Sequence, residues 1–186
     1  MKQHLELLEF AEEANSRMAS DYHAGFFNMD GKLKGLLCET DVLSWLAEGE
    51  LQKIANDPGY QCHTWEPNYL VVASGPKWQL RVGLYSHSSE FVYTMPQHMI
   101  VAVVGRKSLT ADHYLMPCDI EIGTFDPSIR LEPGVRRVHE PGDLIVIDSR
   151  SNLFDVVIQA PVLTVKFTST VHHPLQWAFH RQTGEA

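Results

Sequence analysis

His87, His98 and His113 fall on or beside three successive strand-like stretches, and Glu90 follows His87 by three residues. Imidazoles and a carboxylate converging from such strands could form a histidine site, or a facial set of two histidines and one acid, for a divalent transition metal. The other reading leaves His87 in the exposed turn Ser86–Glu90 and the rest as ordinary strand residues. Arg81 is a further candidate. In Trp78-Gln79-Leu80-Arg81-Val82-Gly83-Leu84-Tyr85, the period of two puts Trp78, Leu80, Val82 and Leu84 on one face and Gln79, Arg81, Gly83 and Tyr85 on the other. Facing inward, Arg81 offers a fork for a substrate carboxylate; facing outward, it is a solvated arginine. An inward guanidinium needs an anionic partner, which Glu90 or Glu121 could supply internally.

Other chemistry is disfavoured. The chain has no Gly-rich phosphate loop, HExxH, GxSxG or paired catalytic carboxylates, which argues against P-loop, zincin and serine-nucleophile mechanisms. His172-His173 ahead of Pro174 read as a solvated turn, and Trp177 and Phe179 as packing residues on one strand face.

Two kinds of element must position these side chains. The first sixty residues read as helical, with Leu7, Ala11, Ala14 and Met18 at three- and four-residue spacing. Gly25 to Gly35 reads as a turn-rich break. Asp41 caps a short helix that Gly49 punctuates, and a further turn stops before Pro58. After Gly59 the pattern turns to short strands: 69–73, 77–85, 91–94, 98–104, 108–115, 120–125, 135–139, 144–148, 153–159, 162–170 and 175–180. Glycine and proline signals separate them. Strands without interleaved helices predict an antiparallel sandwich or barrel, in one structural domain with a helical extension (1–60) and a β-barrel (61–186).

Composition narrows the partners. The 186 residues carry 15 Lys+Arg against 23 Asp+Glu, and Arg136-Arg137 is too small a basic patch for nucleic acid. The longest apolar run, Met99 to Val104, is far short of the roughly 20 residues of a membrane span. The start MKQHLELLEF lacks a signal core, and Cys38, Cys62 and Cys118 show no paired spacing. Both point to reduced thiols and a cytoplasmic location.

Glu140-Pro141-Gly142-Asp143-Leu144-Ile145-Val146-Ile147-Asp148 is a proline-glycine-aspartate turn opening a short apolar strand. It resembles the second conserved block of the cupins, and His98 to Gly105, a strand running into a glycine turn, resembles the end of the first block. Helices ahead of the strands are similar to the layout of cysteine-dioxygenase-like cupins. The resemblance covers residues 65–180 in short motifs. It implies a mainly β fold, a double-stranded β-helix (cupin jelly-roll barrel) with an N-terminal helical extension, and in most members a divalent metal inside the barrel.

The metal motifs are degenerate. Counting back from Gly105 puts His98 in the glutamate slot and the His-x-His pair at Phe91/Tyr93 or Val92/Thr94; counting from Gly83 gives Ser89/Phe91. The histidine of the second block falls at Leu153 or Phe154. These side chains do not bind a transition ion at about 2.0–2.2 Å, so no metal and no cofactor are expected. By the same resemblance His98 faces the barrel interior as a general base or hydrogen-bond anchor, with Tyr93, Tyr85 and His113 supplying further polar tips. The resulting reading makes His98 and Tyr93 catalytic and Arg81, Tyr85 and His113 ligand-binding. They would serve a cupin enzyme with a degenerate metal site, acting on a small carboxylate-bearing metabolite by acid–base chemistry of isomerase or lyase type or through an atypical metal centre. The alternatives are a non-catalytic small-molecule-binding or dimerisation module, and an iron-dependent dioxygenase with atypical ligands. A homodimer that covers sheet edges is expected, with no nucleic acid and no membrane partner.

Overall fold

The computed structural model describes the chain except residues 1, 39–40, 58, 61–64, 67–68, 118–123, 125 and 173–174, and the side chains of 38, 65 and 66. Cys62, Cys118, Glu121, His173, the Cys38 side chain and most of the expected strand 120–125 therefore lie outside the described residues.

Helix α1 (Lys2–Ser20) buries Leu7, Phe10, Ala14 and Met18, one apolar stripe at helical spacing. Asp21 then caps α2 (Tyr22–Phe27), its carboxylate accepting the Ala24 amide at 3.0 Å. Helices α3 (Asp30–Cys38) and α4 (Val42–Asn56) complete the layer. The expected break from Gly25 to Gly35 is thus a helical region, and the expected stop at Gly49 lies inside one continuous helix. Phe26, Met29, Leu33 and Leu36 are all buried, and their three- and four-residue spacing outweighs glycine's weak helix propensity. Asp41 stands at the head of α4 as expected, but its side chain makes no capping hydrogen bond.

Gly25 has a packing role. A Cβ there would lie 2.4 Å from the Arg17 carbonyl oxygen, so glycine lets α2 pass against the end of α1. Gly25→Ala is expected to destabilise the protein by about 1–3 kcal/mol, because backbone cannot yield as a side chain can. Gly31 and Gly49 have nothing within 4 Å of a Cβ position. Alanine at either is expected to add about 0.5–1 kcal/mol. Urea unfolding of the three variants checks the contrast; loss of stability at all three would contradict it.

The described strands are β1 (Trp65–Glu66), β2 (Tyr69–Gly75), β3 (Trp78–Tyr85), β4 (Phe91–Tyr93), β5 (Met99–Val103), β6 (Leu109–Leu115), β7 (Val135–His139), β8 (Leu144–Ile147), β9 (Asn152–Val157), β10 (Val162–Ser169) and β11 (Ala178–His180). All pairings are antiparallel. One sheet runs β1-β2-β3-β10-β5-β8, a second runs β7-β6-β9, and β4 pairs with β11 while lying beside β9.

Strand parity divides the apolar residues into layers. Trp78, Leu80, Ile100, Ala102, Val165 and Phe167 face the helices in one core. Met99, Val101, Val103, Ile145, Ile147 and Val162 face inward and meet Leu109, Ala111, Phe154 and Val156 of the opposite sheet. A third cluster, with Val92, Tyr114, Leu131, Leu153, Trp177 and Phe179, closes one end. Trp177 and Phe179 stack with centroids 5.9 Å apart, in the packing role expected of them.

Candidate functional site

The inward face of β3 carries Gln79, Arg81, Gly83 and Tyr85, directly opposite Thr168, Lys166, Thr164 and Val162 of β10. Arg81 and Lys166 are therefore cross-strand neighbours on the face that looks into the barrel. Arg81 Nε donates to Gln79 Oε1 at 2.8 Å, Nη2 donates to the same oxygen, and the guanidinium carbon lies 4.5 Å from the centre of the Tyr69 ring. Lys166 Nζ sits 3.7 Å from the centre of the Tyr85 ring. Every one of these partners is neutral. Among the described residues neither cation has a carboxylate within ion-pair distance; Glu90, one internal partner considered, is exposed at the surface. Burial, and then the Arg81 charge, lowers the Lys166 pKa to about 8.

Further along the interior, Tyr85 packs against Phe154 at 6.3 Å and Phe154 against His113 at 5.6 Å. Burial, and then the Asp155 charge, pushes the Tyr85 hydroxyl pKa up. His113 Nε2 lies 2.8 Å from His139 Nε2. A hydrogen bond between two imidazoles needs one donor and one acceptor, so the pair shares a single proton. Burial, above all, depresses both pKa values. Two neutral rings joined this way can pass a proton to or from a bound molecule.

Arg81, Tyr85 and His113 thus share the barrel interior. His98 and Tyr93 do not. His98 precedes Met99 and so takes the parity of Ile100 and Ala102, which face the helices. Its ring packs on His23, Phe26 and Phe27 of α2, with centroids 5.2, 5.8 and 5.1 Å away. The inward position inferred for it is corrected on that ground: the helical layer offers this face of β5 a second interior. Tyr93 is 45% exposed, because the short β4 turns Val92 inward and both its neighbours outward. His87 is exposed, with Ser86 Oγ 3.1 Å from its Nδ1. His87, His98 and His113 consequently occupy a surface turn, the helix-facing side and the barrel, and do not converge.

The residues in the histidine slots of the metal motifs do not fit a metal. Phe91 and Tyr93 are exposed, Val92 is in the apolar end cluster, and Thr94 Oγ1 accepts the Trp177 amide at 2.9 Å. Leu153 and Phe154 are apolar core residues.

Strand order identifies the architecture. Four strands run β3-β10-β5-β8 in one sheet, and β9-β6-β7, with β4 alongside β9, form the other. Apart from the β6–β7 hairpin, successive strands from β3 to β10 alternate between the two sheets, as a doubled hairpin rolled into a barrel requires. The chain has the double-stranded β-helix, or jelly-roll, fold.

No family model matches the chain, and no curated protein matches its sequence. Among solved structures it is similar to hydroquinone 1,2-dioxygenase from Sphingomonas sp. TTNP3, with 10% identity, a TM-score of 0.43, and coverage of 61% of this chain and 70% of that one. A double-stranded β-helix protein from Klebsiella pneumoniae shares 11% identity and a TM-score of 0.38, covering 67% and 88% of the two chains. DMSP lyases share 11% identity and a TM-score of 0.37, over 59% of this chain and 50% of theirs.

Outside the barrel, the helix-facing side holds a second polar cluster. The Ser149 amide and hydroxyl both lie 3.2 Å from His98 Nδ1, and Asp148 Oδ1 is 3.3 Å from the same nitrogen. The other Asp148 oxygen lies 3.0 Å from His23 Nε2. Burial drives the His98 pKa down to about 4 against the opposing charge of Asp148. Burial also resists ionisation of Asp148, but the Arg150 amide and His23 outweigh it and hold its pKa below the usual range. The His172 ring centroid is 4.6 Å from that of His98, so this half-buried residue belongs to the cluster and not to a solvated turn.

Sequence reasoning missed Lys166 and His139 in the barrel, and His23 and Asp148 outside it. Lys166, between Val165 and Phe167, shares a strand face with Thr164 and Thr168, so in the sequence it reads as part of a solvated face. The pairing of His23 with Asp148, 125 residues apart, leaves no local signal.

Proposed function

We propose that the barrel binds a small carboxylate-bearing molecule, with Arg81 and Lys166 as its anchor and the His113–His139 pair as the proton donor and acceptor toward it. One observation carries this reading: two cations stand side by side on the inward face, with neutral partners only among the described residues. A carboxylate would accept the guanidinium fork and the ammonium together, supplying the missing counter-charge. The imidazole pair brings acid–base chemistry without a metal, which suits an isomerase or lyase.

The experiment is calorimetric titration with benzoate, succinate and 2-oxoglutarate as probes, each against its uncharged amide. Binding of at least one carboxylate, absent for the amide, is expected. Arg81→Lys should weaken it by about 1–3 kcal/mol, because the charge stays while the bidentate geometry is lost. Equal binding of acid and amide, no binding at millimolar concentration, or an unaffected Arg81→Lys variant would each refute the reading.

A further inference from the structure

The helix-facing side of the barrel carries a donor set that the proposed function does not use. His98 and Asp148 extend β5 and β8 by one residue each, next to the paired residues Met99 and Ile147. The strand register therefore brings them face to face. His23 comes from α2, whose start is fixed by the Asp21 cap. The ligand-capable atoms of the three residues all lie within 4.8 Å of one another.

The protonation pattern makes this arrangement unusual for a simple hydrogen-bond cluster. An amide can only donate, so the Ser149 N–H pointing at His98 Nδ1 fixes that nitrogen as a lone-pair acceptor. Asp148 Oδ1, 3.3 Å from the same nitrogen, is a carboxylate oxygen and also only accepts. Two acceptors thus face each other with no proton between them, one on a ring only 1% exposed. Such contacts repel unless a cation lies between them. Arg150 Nε, 3.6 Å from Asp148 Oδ1, is the nearby positive group, on a side chain 57% exposed. Its distance and exposure make it a weak substitute for a directly bound ion.

We infer that His23, His98 and Asp148 form a site for a divalent first-row transition ion outside the barrel, bridging helix α2 to the ends of β5 and β8. Two imidazole nitrogens and one carboxylate oxygen are a donor set of borderline softness, which Zn²⁺, Fe²⁺, Co²⁺ and Ni²⁺ accept and Ca²⁺ and Mg²⁺ do not favour. The ion would take the Nδ1 lone pair in place of the Ser149 donors, whose 3.2 Å contacts are at the long end of hydrogen-bond distances. The route in is open on one side, since the His23 side chain is 43% exposed and that of Asp148 26%. His172, beside His98, flanks the site, and solvent can fill the remaining coordination positions. The ion would clasp the helical layer to the barrel. The expectation of no metal covered the whole chain on the strength of the degenerate histidine slots, and an ion held at this cluster would overturn it.

The test is titration of the metal-stripped full chain with Co²⁺, read by visible d–d absorption, and with Zn²⁺, read by thermal denaturation. One Co²⁺ per chain and a Zn²⁺-dependent rise in Tm are expected. His23→Gln and Asp148→Asn should each weaken Co²⁺ binding by about tenfold or more and abolish the Tm rise. Both residues are partly exposed, so the variants should fold, whereas His98→Ala would open a cavity at a residue 1% exposed; a His113→Gln/His139→Gln double variant should bind as the parent does. No stoichiometric Co²⁺ or Zn²⁺, binding unchanged in His23→Gln and Asp148→Asn, or binding lost in the barrel double variant would each overturn the inference.

Discussion

Phe167→Ala is expected to lower the unfolding free energy by about 3–5 kcal/mol. Phe167 is fully buried at 0% exposure. It stacks on Phe26 of α2 at 4.9 Å, meets Phe10 of α1 edge-on at 5.5 Å, and touches Trp78 of β3 at 5.6 Å. Four rings from two helices and two strands therefore meet at this side chain. Truncation removes the transfer free energy of the ring and leaves a space between two regular layers that cannot close together freely. Domains of this size have total stabilities of about 5–15 kcal/mol, so the helical layer and the sheet should loosen together. Urea unfolding followed by tryptophan fluorescence measures the loss. Val171→Ala, at a loop residue 60% exposed, is the control and should stay within about 0.5 kcal/mol. A loss below about 1 kcal/mol for Phe167→Ala would show that the layers do not depend on this contact.

Lys166→Met is expected to make the ligand-free protein more stable at neutral pH while removing carboxylate binding. Its folded-state pKa is about 8, against about 10.4 for an unfolded-chain lysine. Below pH 8 both states hold the proton and the burial penalty is present in full. Between these two values the unfolded state binds more protons, so stability rises with pH and then levels off. Methionine keeps most of the apolar stem and removes the charge, so the variant should lack this rise. Unfolding curves at pH 7 and pH 10 test the difference between the two proteins, which cancels other groups titrating in that range. A saturating carboxylate should flatten the rise in the parent by holding the ammonium charged. Parallel pH profiles for parent and variant would mean that Lys166 does not carry a buried charge.

The strand positions and the shared face of Arg81 and Tyr85 were legible, because a two-residue period survives wherever a strand has two different faces; which of the faces turns inward was not. Helix α1 was legible for the corresponding reason at helical spacing. The region from Gly25 to Gly35 was not: composition shows the glycines, but the burial of Phe26, Met29, Leu33 and Leu36 depends on a sheet far away in sequence. His98 was misplaced because a motif count assumes a barrel with a solvent-facing outer surface, whereas here α2 covers that surface. Tyr93 was misplaced because β4 is only three residues long, too short for alternation to fix its inward side. Lys166 passed unremarked because a lysine on a strand reads as the solvated face until the partner strand is known.

β5 is buried at all five positions, Met99 to Val103. A strand in an ordinary two-layer barrel has alternate residues free to drift, since those on the wet side need only be polar. Here Ile100 and Ala102 are held by the helices and Met99, Val101 and Val103 by the opposite sheet. No position on this strand is neutral to substitution. A change of volume on one side presses on a layer that must also keep its fit to the other. The tolerance for mutation that a jelly roll normally spreads along every strand is displaced to its edges and loops.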